Sequence, residues 1–380
     1  MNSNLATKKF RTNRMCSLMV THACNLNCVY CFEKFKTSKM MTFETAQNIL
    51  KKEFDDYPKI QTEGSRMGID FMGGEPLINF DVIKRVYEWT KSLNLPFNIV
   101  FSVTTNGTLL DTEKQEWFAQ NAKDFRLVMS VDGNEYSQVA NRGVSTNTLP
   151  LEFIRDTWPN SYFKQTLTHD TLPYYAAGVI ALNEHGFRVA SSLAQGHTWA
   201  DDDDKTYREQ LKALGQYYID HPDIPLSTPF DMMYIQLLDE NISRPPRKNC
   251  GTGTGIHFYD VDGKLYPCHL FLPMVHGNPN VLEEIKDVDF CNDIALIDND
   301  CINCPILRVC ATCYGFNYMK RQCVAKRDKS MCKLYLAQAQ EISSFQIRYF
   351  TSIDRKLTTN ELLTLQSAMR CYELVENISM

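Results

Sequence analysis

The sequence predicts an α/β fold in which parallel strands form a partial barrel, followed by a cysteine-rich region. From Met15 to about Ala194, six strand-like apolar runs alternate with segments of helical periodicity. Strands joined by helices pair in parallel, and such sheets bind ligands at the carboxyl ends of their strands. The predicted strands are Ser17–Val20, Met67–Met72, Asn98–Thr104, Arg126–Val131, Phe163–Thr168 and Phe187–Leu193. The helical segments include Thr42–Tyr57, Phe80–Ser92, Asp111–Asn121 and Pro173–His185.

Composition limits the class of protein. The 380 residues suit two domains, or one barrel with an appendage, and an apolar content of 44% is ample for packed cores. The net charge of −5 and the lack of long basic tracts argue against a nucleic-acid partner. No segment resembles a signal peptide or a membrane span, so we expect a cytoplasmic protein without a membrane partner.

Twelve of the 14 cysteines fall into two fields, and Cys16 and Cys371 lie outside both. Three lie in Cys24-x3-Cys28-x2-Cys31, and nine lie between Cys250 and Cys332. In a reducing compartment such clusters indicate metal ligands rather than disulfides. Three thiolates in one short loop suit a [4Fe–4S] cluster with one iron left open for a substrate or cofactor. The alternatives are a zinc knuckle that lacks its fourth ligand, or chance.

Three further motifs follow predicted strands. Gly73-Gly74-Glu75-Pro76 combines glycines that permit close backbone approach with a carboxylate that can accept hydrogen bonds from an ammonium group. Thr104–Gly107 and Ser130–Gly133 end the next two strands. We therefore expect four motifs, including the cysteine loop, to meet at one edge of the sheet.

With these motifs the chain resembles the radical S-adenosylmethionine (SAM) superfamily over most of its length. The resemblance implies a partial (β/α)6 TIM-like barrel. It implies a [4Fe–4S] cluster on Cys24, Cys28 and Cys31 that chelates SAM. One-electron cleavage of SAM would yield a 5′-deoxyadenosyl radical, and this radical would abstract a hydrogen atom from the substrate. It also implies SAM contacts from Tyr30 (adenine), Asn106 (ribose), Gly73, Gly74 and Glu75 (amine), Ser130, and Arg142 (carboxylate). Taken alone, Tyr30 suits a core position, Ser130 a strand-end cap and Arg142 a surface position.

The second field begins with a predicted hairpin, His257–Val261 and Lys264–Tyr266, joined by Asp262-Gly263. By itself this field suits two zinc sites as well as iron–sulfur clusters. After the first half it resembles the SPASM domain, which binds two auxiliary [4Fe–4S] clusters, three clusters in all. The resemblance assigns Cys301, Cys304, Cys310 and Cys332 to an outer cluster, and Cys250, Cys268 and Cys313 to an inner one.

The match to this pattern is incomplete. Two residues rather than three separate Cys310 from Cys313. A fourth inner ligand is not obvious: Cys323 is the first candidate, Cys291 the second, and an open iron the alternative. The resulting domain prediction is a radical SAM partial barrel (1–235), a SPASM domain (236–345) and a helical tail (346–380).

Two segments receive local predictions. The proline-bearing stretch 243–248 is interpreted as a linker. Asp201–Asp204 is interpreted as a solvated loop that opens a helix over Tyr207–Tyr218.

SPASM-bearing enzymes mostly modify ribosomally made peptides or proteins, so the resemblance implies a polypeptide substrate. The pattern of sulfatase maturases, which form formylglycine, places an aspartate base directly after the cysteine of a Gly-x4-Cys motif. In this chain the motif is Gly263-x4-Cys268, and the residue that follows is His269. His269 is a candidate proton acceptor or a hydrogen-bonding group near the cluster. We therefore expect a maturase that installs a thioether or carbon–carbon cross-link in a precursor peptide, with sulfatase maturation as the alternative. A non-catalytic zinc scaffold is the alternative of another class.

Partners follow from the same reading. Only 23 residues precede Cys24, too few for a leader-binding domain. We therefore expect a separate leader-recognition protein, or capture of the peptide by a sheet edge. A flavodoxin- or ferredoxin-type protein would supply the electrons.

Overall fold

The computed structural model describes residues 12–239 and 246–378, so positions 243–245 of the predicted linker lie outside the described residues. The chain divides into two compact units. Unit 1 comprises 12–130, 147–161 and 251–288, and unit 2 comprises the remaining described residues. Unit 1 is therefore assembled from three separate stretches of sequence.

The described residues contain eight strands and twelve α-helices. The strands are β1 (Thr12–Thr21), β2 (Arg66–Gly73), β3 (Ile99–Thr105), β4 (Phe125–Met129), β5 (Tyr162–Leu167), β6 (Arg188–Leu193), β7 (Ile256–Tyr259) and β8 (Leu265–Tyr266). The helices are α1 (Phe43–Asp56), α2 (Phe80–Ser92), α3 (Thr112–Gln120), α4 (Glu135–Arg142), α5 (Leu151–Thr157), α6 (Tyr175–Glu184), α7 (Asp203–Asp220), α8 (Pro273–His276), α9 (Val281–Glu284), α10 (Tyr314–Arg321), α11 (Cys332–Ser352) and α12 (Thr359–Val375). Within these ranges, none of the helices combines the length and apolar character needed to cross a bilayer.

Unit 1 contains a six-stranded sheet in the order β4-β3-β2-β1-β7-β8. β1 to β4 and β7 are parallel, and β8 returns antiparallel to β7, which confirms the predicted hairpin. Gly263 adopts a φ of 84° in its turn, a conformation that glycine reaches without strain. Buried aromatic side chains on these strands form part of the core. Phe71 stacks on Phe101 and on Phe125.

Unit 2 holds β5 and β6 as a separate parallel pair, although the sequence predicts one parallel sheet for all six strands. Within unit 2, the Val131 N–H donates to Lys164 O at 2.8 Å, and the Thr166 N–H donates to the Asp132 carboxylate at 2.9 Å. The α/β prediction is confirmed, whereas β5 and β6 form a sheet of their own.

The start of α7 corrects the prediction for Asp201–Asp204. Asp203 and Asp204 belong to the helix and are buried, so they are not part of a solvated loop. Asp203 Oδ2 accepts the Ala200 N–H at 2.7 Å, and Asp203 Oδ1 lies 2.8 Å from His169 Nδ1. These partners offset the cost of burying the carboxylate.

A buried ionic cluster joins α1 to two strands of unit 1. Glu53 Oε2 accepts a hydrogen bond from Arg14 Nη1 at 2.8 Å, and Glu53 Oε1 accepts one from the Tyr259 hydroxyl at 2.6 Å. His257 Nδ1 lies 2.5 Å from Glu53 Oε1. Burial alone would raise the Glu53 pKa, but His257, Tyr259 and Arg14 lower it to about 2. The cluster therefore stabilises the carboxylate form of Glu53.

This cluster predicts acid sensitivity of the fold. The Glu53 pKa is depressed on folding, so its contribution is present above about pH 4.5 and is lost as the pH falls towards about 2. A shift of this size corresponds to at most about 3 kcal/mol. We expect Glu53→Gln to lower the free energy of unfolding at pH 7 and to flatten its dependence between pH 5 and 3, as followed by urea titration. Asp55→Asn, at an exposed site on the same helix, is the control. An unchanged pH dependence in Glu53→Gln would contradict this account.

Candidate active site

The cysteine loop, residues 22–39, leaves the carboxyl end of β1 and returns beside it. Thr21 and Met40 form an antiparallel bridge, and the His22 N–H donates to Lys39 O at 3.0 Å. The Asn79 side chain, buried in unit 1, donates to Val20 O at 2.8 Å and to Met41 O at 3.0 Å. Both ends of the loop are thereby fixed to the sheet.

The three thiols of this loop are partly exposed, and polar groups approach two of them. Lys36 Nζ donates to Cys31 Sγ at 3.2 Å, and the Leu26 N–H donates to Cys24 Sγ at 3.5 Å. Burial raises the pKa of Cys24, whereas the Leu26 amide and the Lys36 ammonium oppose that change. Both groups favour the thiolate, which is the form that binds iron.

The glycine turn after β2 packs directly on the cysteine loop. The Gly74 N–H donates to Thr21 O at 3.1 Å, and the Glu75 N–H donates to Ala23 O at 2.9 Å. A Cβ on Gly74 would lie 2.5 Å from Ala23 O and 2.8 Å from Cys24 Cβ. Only glycine fits at this position, and the backbone it approaches is that of the cysteine loop.

Glu75 connects this turn to the turn that follows β3. Its residue is 1% exposed. Oε1 accepts hydrogen bonds from the Leu77 N–H at 3.1 Å and the Thr105 hydroxyl at 2.7 Å, and Oε2 accepts one from the Asn106 N–H at 2.7 Å. Sequence reasoning assigned Glu75 to the SAM amine and did not anticipate these protein donors.

Asn106 connects the β3 turn back to the cysteine loop. Its Nδ2 donates to Asn25 Oδ1 at 3.0 Å, and its Oδ1 accepts the Thr108 N–H at 3.0 Å. The half-buried Ser130, after β4, donates its N–H to Thr105 O at 2.9 Å. Tyr30 is also half-buried. Within unit 1, the predicted residues after β1, β2, β3 and β4 thus meet at the carboxyl edge of the sheet.

Arg142 lies in unit 2, at the end of α4. Its Nε donates to Asp132 Oδ2 at 2.9 Å, and its Nη2 donates to Asp132 Oδ1 at 3.2 Å. Arg142 is 8% exposed, so the surface position considered from sequence alone is wrong. A buried two-pronged pair of this kind fixes the orientation of the guanidinium.

Residues 18–148, which contain the motifs above, match the protein-family model for the radical SAM superfamily. These residues are a radical SAM domain. The prediction of a radical SAM enzyme is thereby confirmed.

Two curated relatives span most of the chain. One, from Methanocaldococcus jannaschii, is an uncharacterised protein that is 29% identical over 66% of this chain and 83% of its own length. The other is the radical SAM cyclopropyl synthase TigE from Paramaledivibacter caminithermalis, 24% identical over 84% of this chain and 71% of its own.

Solved structures show the same fold. The sulfatase maturase anSMEcpe with bound AdoMet superposes with a TM-score of 0.66 at 19% identity, covering 88% of this chain and 97% of that one. Streptococcus suis SuiB bound to its precursor peptide SuiA gives a TM-score of 0.56 at 16% identity, covering 83% and 75%. The radical SAM partial barrel predicted from the sequence is therefore confirmed as the fold class.

The radical SAM domain implies a [4Fe–4S] cluster and SAM, and the cysteine loop fits this group. Among the described residues, no three His, Cys, Asp or Glu side chains converge closely enough to hold a single metal ion. A cluster instead binds each cysteine at a different iron, so its ligands need not converge on one point. When bound, the cluster and SAM together would supply a carbon-centred radical. The chain supplies the thiolates and the Lys36 ammonium beside Cys31.

In unit 2, the four cysteines predicted for the outer cluster influence one another electrostatically. Burial raises the pKa of Cys310 to about 11, and the thiols of Cys332 and Cys304 act in the same direction. Burial also raises the pKa of Cys332, together with the thiols of Cys301 and Cys304. Two of the four also share one turn, since the Cys304 N–H donates to Cys301 O at 3.0 Å.

The cysteines predicted for the inner cluster are divided between the units. In unit 2, burial raises the pKa of Cys313 to about 11, and the Cys250 thiol contributes. Burial lowers the pKa of Lys248, against the opposing effect of Cys250 and Cys291. Cys268 is buried in unit 1, and Cys323 is half-buried in unit 2. The identity of a fourth inner ligand stays a prediction.

His269 lies in unit 1 beside the cysteine loop. Its ring centroid is 5.2 Å from that of Phe32, the residue after Cys31, and 5.8 Å from that of Phe258 on β7. The half-buried imidazole is thus held by two aromatic rings.

Sequence reasoning missed two residues of the site. Lys36 is a lysine five positions after Cys31, and only the folded loop brings its ammonium to the thiol. Asp132 belongs to a motif that was recognised, but its pairing with Arg142 depends on α4, which periodicity did not predict. The sequence signal available for this pair was the ten-residue spacing between the acidic Asp132 and the basic Arg142, with a short helix between them.

Proposed function

We propose that the enzyme is a peptide maturase that installs an oxidative thioether or carbon–carbon bond in a ribosomally synthesised precursor peptide. The relative TigE, a cyclopropyl synthase by name, aligns over most of the chain, and SuiB, solved with a precursor peptide, shares its fold. The observation that carries the proposal is His269. Its imidazole packs on Phe32 and Phe258, and the resemblance to sulfatase maturases implies an aspartate at this position instead.

The proposed chemistry removes two hydrogens from the peptide. One leaves as a hydrogen atom, and the other as a proton and an electron when the new bond closes. His269 is the candidate acceptor for that proton, since an imidazole exchanges protons near neutral pH. Two auxiliary [4Fe–4S] clusters, on the outer and inner cysteines, would supply the acceptor for the electron.

The residues proposed to bind SAM are those predicted from the sequence. Tyr30, Gly73, Gly74, Glu75, Asn106, Ser130 and Arg142 contact SAM. The assigned boundaries are 1–235 for the barrel, 236–345 for the SPASM domain and 346–380 for the tail. We further propose a cytoplasmic location, a separate leader-recognition protein and a flavodoxin- or ferredoxin-type electron donor.

An anaerobic peptide assay tests this function. A short peptide encoded beside the gene should lose the mass of two hydrogens in the presence of SAM and reductant, and tandem mass spectrometry should locate the new bond. Cys268→Ala should abolish bond formation and leave some SAM cleavage, because it removes a predicted auxiliary ligand but none of the cysteine loop.

A sulfatase-motif peptide serves as the competing substrate. Sulfatase maturation is the second candidate because anSMEcpe shares the fold over most of this chain. We expect no formylglycine from this peptide. Efficient oxidation of its cysteine or serine would reject the peptide-maturase proposal and establish the second candidate.

A further inference from the structure

Arg327 is a buried cation with unmet hydrogen-bonding capacity in unit 2. The residue is 7% exposed, and within the described part of the chain its Nε and Nη1 atoms have no hydrogen-bond partner. Its guanidinium carbon lies 5.5 Å from the centroid of the Tyr314 ring. Burying a charge with unused donors costs several kcal/mol unless an anion compensates it.

The Asp298 carboxylate contacts Arg327 through the main chain and not through Nε or Nη1. Asp298 Oδ2 accepts the main-chain N–H of Arg327 at 2.8 Å, and Asp298 Oδ1 accepts the Asp300 N–H at 3.1 Å. Asp298 thus positions the backbone of Arg327. The two unpaired guanidinium nitrogens remain available to another anion.

A predicted outer-cluster cysteine lies beside the Arg327 side chain. Cys310, Tyr314 and Arg327 line the same cavity of about 10 Å³. The Cys301 N–H donates to Asp298 O at 2.9 Å, and Asp298 Oδ2 accepts the Arg327 N–H. Arg327 therefore lies beside one predicted outer ligand and shares a hydrogen-bonded neighbour with a second.

We propose that Arg327 compensates the charge of the outer auxiliary cluster and raises its reduction potential. The inference rests on the cluster that the proposed function assigns to Cys301, Cys304, Cys310 and Cys332. A cluster held by four thiolates is anionic and gains one more negative charge on reduction, so a desolvated cation beside it stabilises the reduced form. Arg327 is a positioning residue for electron transfer and does not touch the peptide.

The test compares charge with shape at this position. Arg327→Gln removes the charge, Arg327→Lys keeps it, and Lys326→Met removes an exposed charge from the neighbouring residue as the matched control. Each is made in the full chain carrying Cys24, Cys28 and Cys31 as alanine, so that only auxiliary clusters remain. Iron per chain is measured first, and then a redox titration is followed by electron paramagnetic resonance.

We expect Arg327→Gln to lower the reduced-to-oxidised ratio of one cluster about tenfold at fixed potential, the equivalent of about 59 mV for one electron. Arg327→Lys and Lys326→Met should stay within about twofold of the parent. Loss of iron in Arg327→Gln but not in Arg327→Lys would also support the proposal, because Arg327→Lys keeps the positive charge that Arg327→Gln removes.

Two results would overturn the inference: an unchanged potential in Arg327→Gln, or equal shifts or equal iron loss in Arg327→Gln and Arg327→Lys. The failure of the proposed function is distinct from both. It would show as negligible iron in the parent before any change at Arg327.

Discussion

The Cys24/Cys28/Cys31→Ala triple variant is expected to cleave no SAM and to lose about four of roughly twelve irons per chain. The three thiols share one loop whose two ends are fixed to the sheet, so no other cysteine of unit 1 can replace them without moving that loop. Iron analysis and the release of 5′-deoxyadenosine after anaerobic reconstitution measure both effects. Removing the thiols should leave the fold intact, because none of them is fully buried.

Cys371→Ala provides the matched control. This thiol is buried within α12, far in sequence from either cysteine field, and donates to Ala339 O. Its loss should leave iron and SAM cleavage unchanged. Stoichiometric zinc with little iron in anaerobically prepared wild-type protein would contradict the cluster assignment.

The second large effect concerns Glu75. Glu75→Ala would leave the Leu77 N–H, the Thr105 hydroxyl and the Asn106 N–H without their acceptor in a buried site. Each orphaned donor costs about 1–3 kcal/mol, so we expect a loss of at least about 3 kcal/mol in the free energy of unfolding. The SAM contact is worth about 1.5–3 kcal/mol in addition. Urea unfolding without SAM, followed by equilibrium titration with SAM, separates the two contributions.

Glu63→Gln, at an exposed position just before β2, is the control for loss of a carboxylate from unit 1. Wild-type stability in Glu75→Ala, with weakened SAM binding, would mean that the carboxylate acts on SAM alone. Wild-type SAM affinity in a folded Glu75→Ala protein would instead reject its assignment as a SAM contact.

The sequence predicted the elements best where local pattern and burial agree. The predicted bounds of α2 are those of the structure, because its apolar face repeats regularly between Asn79 and Leu93. The short helices α4 and α5 were not predicted, since eight and seven residues carry too few turns for a clear period. Asp203 was misplaced because an acidic run is usually solvated, and only its tertiary partner His169 explains its burial.

The site was predictable in its residues but not in their connections. Spacing selected the cysteines and the Gly73-Gly74 turn, since both are local chemical requirements. Asn25 accepts a hydrogen bond from Asn106 and donates one to Thr108. These bonds join positions about 80 residues apart, and no spacing rule predicts them. Buried Arg327 carried no sequence signal at all, because an arginine is ordinarily exposed.

The pairing of β7 with β1 has a consequence for synthesis of the protein. Cys16 pairs with His257, so one edge of β1 stays unpaired until the ribosome has added about 240 more residues. At about 5–20 residues per second, the nascent chain spends roughly 10–50 s with that strand edge open. Leu18, Met19 and Val20, fully buried in the finished protein, form an apolar edge of the kind that associates with other chains. The cysteine loop, which begins where β1 ends, therefore gains its completed sheet only after β7 has been synthesised.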